Sequence, residues 1–188
     1  MFDENEIISR VLHKDLRAFE ILVKQYERLV FHVVGRLVHN YGDTQDICQE
    51  VFIKVHKNLG SFEFKSKLST WIAKIAYLTA INYLKKYRNS GEDEVSEDMD
   101  KLHFTNEHPE SVLEKKDTAA YVNMLIDQLP EQYRIVLTLY HLNEFSYQEI
   151  EDITEMPEGT IKSYLFRGRK LLKEKLEVYL KSEWHERV

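Results

Sequence analysis

Between Phe19 and Leu37 the apolar residues Phe19, Leu22, Val23, Tyr26, Leu29, Val30, Val33, Val34 and Leu37 recur at i, i+3, i+4 and i+7. That period winds them onto one face of a helix of about five turns. A stripe so wide must be buried against other elements. Ile47, Val51 and Val55 repeat the rhythm, as do Trp71, Ile72, Ile75, Ala76, Thr79 and Tyr83. No stretch shows sustained strand alternation bounded by turn dipeptides. Six Gly and three Pro in 188 residues leave long uninterrupted runs. The expectation is an all-α chain.

Local signals divide it. Asp3 caps a short helix carrying Ile7, Ile8, Val11 and Leu12, and Asp15 caps the long one. Asn40-Tyr41-Gly42 breaks it, and Asp43 caps a third helix to about Asn58. Leu59-Gly60-Ser61 ends that helix, and a fourth runs from about Leu68 to Arg88. From Asn89 to about His108 the chain is acidic and poor in apolar residues, too poor to offset the entropy of ordering. Pro109 restarts helix, with Val112, Leu113, Ala120, Met124, Leu125 and Leu129 apolar, and Pro130 starts another with Ile135, Val136, Leu139 and Tyr140. The expected organisation is two small helical domains, 1–89 and 109–188, joined by a flexible acidic linker, 90–108.

Several function classes fall away. The one cysteine, Cys48, cannot form an internal disulfide and suits a reducing, cytoplasmic setting. No segment approaches the roughly 18–20 apolar residues of a membrane span, and the acidic, polar N-terminus is no secretory signal. The eight histidines are scattered, and no P-loop, dinucleotide fingerprint or nucleophile elbow is present. No cofactor, metal or catalytic residue is expected.

Charge carries more. The net charge of −6 argues against indiscriminate coating of nucleic acid, yet the distribution is uneven. Residues 64–91 hold six basic residues and no acid, 90–117 hold ten acids and three bases, and 159–175 hold six bases and one acid. The last block ends a helix-turn-helix pattern over residues 145–175. Ser146 and Glu149 form a capping box, Ile150 and Ile153 face inward, Thr154 to Pro157 make the turn, and Pro157 suits the first position of the next helix. A positive helix in a major groove gains from phosphate contacts and counterion release. A solvated helix pair in an ordinary bundle gives the same pattern. In the first basic block Phe62, Phe64, Trp71, Tyr77, Tyr83 and Tyr87 alternate with cations. Aromatic faces stack on unpaired bases at ~1–3 kcal/mol each. The competing account makes Trp71 and Tyr83 core. Trp71 is expected to be partly buried, with Phe64, Tyr77 and the lysines more exposed. Asp43, Asp46, Gln49 and Glu50 form an acidic surface on the third helix. It reads best as a docking face for a basic partner, with helix capping or a Mg²⁺-dependent helical hydrolase as alternatives.

The order of these blocks resembles the extracytoplasmic-function (ECF) sigma factors of bacterial RNA polymerase, members of the sigma-70 family. The segments that carry it are AFEILVKQYERLVF (18–31), GDTQDICQEVFIKVHKNLGSF (42–62), STWIAKIAYLTAINYLKKYR (69–88), LPEQYRIVLTLYHLNEFSYQEI (129–150) and PEGTIKSYLFRGRKLLKEKL (157–176). They are collinear and span nearly everything but the linker. The resemblance implies a region 2 domain followed by a region 4 domain. Asp43, Asp46, Gln49, Glu50, Ile53 and Lys54 then fall where region 2 docks on the β′ clamp helices of core polymerase. Phe64, Lys65, Lys67, Ser69, Thr70, Trp71, Lys74, Tyr77, Leu78, Lys85 and Lys86 fall where the minus-ten element is melted and captured. Ser146, Glu158, Gly159, Thr160, Lys162, Ser163, Tyr164, Phe166, Arg167, Arg169 and Lys170 fall on the reader of the duplex minus-thirty-five element. Further implied partners are the polymerase β flap and an anti-sigma factor. The linker would thread near the polymerase active centre, no direct membrane insertion is implied, and the polymerase does the chemistry.

The departures are informative. Leu78 stands where many family members carry Asn, Glu151 and Glu155 where the turn often reads A-x-x-x-G, and Tyr164 where Arg is common. These imply altered base preferences and an outward-turned Glu151 or a slightly opened helix angle. No further domain is expected after about Leu180. A stand-alone helix-turn-helix regulator is the rival reading, but it leaves residues 64–88 without a role.

Overall fold

The computed structural model describes residues 3–38, 40–89 and 118–185, and among these there is no strand. The expected linker and the Pro109–Asp117 stretch lie outside the described residues. The helices are α1 (Glu4–Leu12), α2 (Leu16–Gly35), α3 (Tyr41–Asn58), α4 (Leu68–Asn89), α5 (Thr118–Asp127), α6 (Glu131–Leu137), α7 (Tyr147–Thr154) and α8 (Glu158–His185).

Asp3 and Asp15 cap α1 and α2 through their carboxylates, as expected. The cap of α3 is not Asp43. Asn40 takes that place, its side-chain oxygen accepting from the Gly42 and Asp43 N–H groups. Tyr41 and Gly42 therefore belong to the helix rather than to a break. A 3₁₀ turn, Leu59–Ser61, closes α3. Pro130 and Pro157 lie one position earlier than expected. Each stands just before its helix, and its carbonyl accepts from the N–H four residues on.

Leu22, Val30, Val33 and Val34 of α2 are fully enclosed, and the stripe packs on α1, α3 and α4. α6, α7 and α8 form the second group, centred on Ile135, Leu139, Ile150, Ile153, Ile161 and Leu165. The two groups are not separate bodies. α4 packs along α7, and the buried apolar residues of both make one continuous cluster. Arg36 at the end of α2 reaches α5, bonding Asp127 and, at 2.6 Å, the Asn123 side-chain oxygen.

After α6 the chain widens into a π-helical turn, Thr138–Leu142, that no sequence signal announced. The turn packs on α2 as well as on α6 and α7. α6 and α8 come close where Gly168 meets Leu137 and Tyr133. A Cβ placed there would lie 2.9 Å from Leu137 Cδ1.

Candidate nucleic-acid interface

Before α4 the chain turns sharply at Phe64, which takes a left-handed conformation with φ 57°. Such a backbone is uncommon for an aromatic residue and persists only where its surroundings hold it. Here it projects the ring outward, 60% exposed. Phe62 packs against Phe64 at 4.8 Å and against Trp71 at 5.4 Å between ring centres, both pairs tilted by 51°. Ser61, Phe62, Glu63, Lys65, Ser66 and Trp71 line a depression of about 170 Å³ beside this row. An aromatic wall suits an unstacked base, and its rim carries Lys65 paired with Glu63 at 2.5 Å. Trp71 is half-buried, as expected.

Lys65, Lys67, Leu78, Lys85 and Lys86 are exposed and Ser69 is half-buried. The expectation of exposure fails for Tyr77, which is half-buried; burial, then Glu131 and Glu155, push its hydroxyl pKa up. Thr70 is buried, and its hydroxyl donates to Glu149 at 3.3 Å. Lys74 is less free than expected, pairing with Glu155 at 3.2 Å. The common cause is α7, which covers this side of α4.

The helix-turn-helix comprises α7 and α8. The capping box at Ser146 and Glu149 forms, so the Ser146 hydroxyl is engaged inside the motif. Burial opposes ionisation of Glu149, but the Ser146 backbone N–H, Lys67 and the Ser146 hydroxyl outweigh it and hold its carboxyl below its ordinary value. Glu155 closes α7 in the left-handed region, φ 62°, its N–H bonding Glu151 at 2.8 Å. Glu151 is exposed, so the outward alternative for that residue holds.

On α8, Glu158, Gly159, Lys162, Phe166, Arg167, Arg169 and Lys170 are exposed, while Thr160 and Ser163 are half-buried. Phe166 is 70% exposed, with Lys162 and Lys170 one turn to either side. Tyr164 is withdrawn, half-buried edge-on against Tyr133 at 5.3 Å. Lys162 pairs with Glu158 at 2.5 Å and sits over the Tyr147 ring, and Lys170 lies 4.0 Å from Glu174. Arg169 donates to His141 at 3.1 Å and lies over Tyr140. Exposed pairs of this kind are worth ~0–1 kcal/mol and yield readily to phosphate.

On α3, Asp46, Gln49, Glu50 and Ile53 are exposed and Asp43 half-buried, an acidic stripe with one exposed apolar side chain. Lys54 bonds Glu50 at 2.7 Å and the Thr79 hydroxyl at 3.2 Å. Tyr83 is hydrogen-bonded to Asp43; burial, that bond and Tyr87 raise its pKa. Among the described residues no cluster of His, Cys, Asp or Glu is placed to hold a metal, and no helix is long and apolar enough to cross a membrane.

The residues that sequence reasoning passed over are those that join the halves: Arg36, Asn123, Asp127, Glu149 as a bridging group, and Glu155. Only Glu155 left a trace, as a departure from the usual small residue at the turn.

Residues 22–90 match the family "Sigma-70 region 2" and residues 119–172 match "Sigma-70, region 4". The RNA polymerase sigma-H factor of Pseudomonas aeruginosa is 33% identical over 187 residues, covering 95% of this chain and 96% of the relative. The ECF RNA polymerase sigma-E factor of Escherichia coli K12 is 34% identical over 181 residues, covering 91% and 93%. The fold is similar to that of the sigma factor RpoE of Bartonella quintana in complex with the anti-sigma factor NepR. There the TM-score is 0.65 at 22% identity over 85% of this chain and 97% of that one. CnrH in complex with the cytosolic domain of CnrY gives 0.63 at 15% identity over 92% and 96%.

Proposed function

The chain belongs to the sigma-70 family and is an ECF-type transcription initiation factor, and from that premise we propose how its surfaces divide the work. Residues 1–89 form the unit that meets core polymerase and the minus-ten element, residues 109–188 the unit that meets the minus-thirty-five element, and 90–108 the linker. The observation that carries this is the Phe64, Phe62 and Trp71 row beside a depression rimmed by the Lys65–Glu63 pair, in one chain with a cationic, aromatic-tipped helix at Phe166.

In this reading Asp43, Asp46, Gln49, Glu50 and Ile53 present charge and one apolar contact to the β′ clamp helices. Lys54 stiffens the stripe from its edge. Phe64 and Trp71 stack on a base extruded from the melted strand, and Lys65, Lys67, Lys74, Lys85 and Lys86 follow its backbone. Lys162, Arg167 and Lys170 neutralise duplex phosphates, while Phe166 offers an apolar surface of the kind that meets a thymine methyl group. Tyr164, held against Tyr133, shapes the helix rather than reading bases. The region 4 unit also meets the β flap. The chain needs no cofactor and performs no catalysis of its own, and it acts in the cytoplasm, where polymerase and promoter are. An anti-sigma factor is the proposed regulator, the kind of partner held by the Bartonella quintana fold neighbour.

Run-off transcription with core polymerase and genomic fragments tests the proposal. Promoter-specific transcripts and co-elution with core are expected. Absence of both refutes it.

A further inference from the structure

Three cations of the proposed minus-ten face are already paired, Lys65 with Glu63 of its own loop and two with acids of the helix-turn-helix. Lys67 lies 3.0 Å from Glu149 Oε1 and Lys74 lies 3.2 Å from Glu155 Oε1. Between them the Thr70 hydroxyl donates to Glu149, and Tyr77 lies within the electrostatic reach of Glu131 and Glu155. Residues 70, 74 and 77 share one face of α4 by helical spacing, and Lys67 stands immediately before its first residue. Lys67 and Lys74 stand about 10 Å apart along the axis, at ~1.5 Å per residue. Glu149 lies in the first turn of α7, and Glu155 is the residue that caps its C-terminal end. Two carboxylates therefore match two cations, in order, along a pair of packed helices. One of these acids occupies a left-handed position that suits glycine, so the backbone bears a cost to place it there.

We propose that Glu149 and Glu155 act as built-in phosphate mimics. They latch α7 onto the single-strand-binding face of α4 and keep the free factor closed. The Arg36 bonds to Asp127 and Asn123 hold the other end of the same closure. Three of the four ion-pair side chains keep more than a third of their exposure, Glu149 being the exception. Such pairs are individually weak, so polymerase or nucleic acid can displace them. Closure thus engages the stretch from Lys67 to Tyr77 until both domains are drawn apart, while Phe64, Lys65, Lys85 and Lys86 stay exposed. The inference rests on the assignment of α4 to the minus-ten strand.

The test uses the full chain. Glu149→Gln/Glu155→Gln removes both charges, and glutamine at residue 149 still completes the capping box. Glu151→Gln/Asp152→Asn removes the same charge from exposed positions on the same helix. Small-angle X-ray scattering reads closure. Fluorescence anisotropy with a labelled single-stranded 12-mer of random sequence reads access. The bridging variant is expected to have a larger radius of gyration than the control and to bind the 12-mer about fivefold or more tightly. A radius and affinity equal to the control overturn the latch, and expansion without tighter binding overturns the masking. Phe64→Ala in the bridging background separates the two ideas. Loss of 12-mer binding there leaves the α4 assignment standing even if the latch falls, and unchanged binding means the assignment is what failed.

Discussion

Gly168→Ala sets two effects of similar size against each other in one helix. Alanine inside a helix is favoured over glycine by about 1 kcal/mol. At Gly168 the added Cβ would lie 2.9 Å from Leu137 Cδ1 and 3.3 Å from both Leu137 Cγ and Tyr133 Cβ. Leu137 is 2% exposed, so its side chain has little room to swing away, and the Tyr133 Cβ moves only with its backbone. Overpacking of a closed interface costs about 1–3 kcal/mol. The difference is a net loss of about 0–2 kcal/mol, most simply met by α8 sliding off α6. Gly159→Ala is the internal standard: nothing lies within 4 Å of its Cβ, so only the propensity gain remains. Urea denaturation followed by circular dichroism should show a lowered midpoint for Gly168→Ala and a raised one for Gly159→Ala, with similar slopes. Leu137→Ala should reverse part of the Gly168→Ala loss, because neighbours sharing one gap are not additive. If Gly168→Ala stabilises as much as Gly159→Ala, the close approach of α6 and α8 does not exist in solution. The seating of the proposed recognition helix would then be wrong.

Lys162→Ala or Arg167→Ala should weaken duplex promoter binding and lower the salt slope of log K by about one per lost phosphate contact; an unchanged slope shows that the residue touches no phosphate. Trp71→Ala should impair open-complex formation more than duplex binding, with circular dichroism alongside because Trp71 also packs on Phe62. Equal losses in the two assays would make its role structural. Burial, then Arg28 and Arg36, hold the His32 pKa below its ordinary value, and burial and Arg169 do the same for His141. Both rings therefore take up a proton at lower pH in the fold than in the unfolded chain, which does so near pH 6.5. Stability rises with pH wherever the unfolded state binds more protons, so it should fall as pH drops below that value. The urea midpoint should decrease between pH 7.5 and 5.5, and His32→Gln should flatten the decline; a parent whose midpoint is level over that range refutes it.

What was legible in the sequence was what is decided locally. Asp3, Asp15 and the Ser146–Glu149 box act on N–H groups two or three residues away, so their spacing alone announces them. The α2 stripe was legible because its period admits one face. The α3 cap was misplaced because Asn40 and Asp43 stand three residues apart and both can cap; Asn40 wins by accepting from two N–H groups, one of them that of Asp43. Thr70 and Tyr77 carry no mark of their burial, since what covers them is α7, more than seventy residues later in the chain. The π-helical turn is likewise set by tertiary packing, wedged between α2 and the second group of helices.

On the proposed assignments, the α4–α7 contact also bears on how an acidic chain can carry two DNA-facing surfaces. A closed factor whose basic faces both remained open would be held by any nucleic acid, because phosphate attraction takes no account of sequence. In the proposed latch, pairing Lys67 and Lys74 inside the molecule weakens that attraction where it would be least selective, on the proposed single-strand face. The α8 cations are tempered differently, by acids one turn away at Glu158 and Glu174. Those pairs lie within α8 itself and involve no residue of α4 or α7. On that proposal the two surfaces answer to different events: the α8 face to duplex phosphates at any time, the Lys67 to Tyr77 stretch only after α7 has left it. Glu155 shows that this separation is specific to the sequence rather than incidental to the fold. Glycine there would relax the left-handed turn, and the chain instead carries the residue that reaches Lys74.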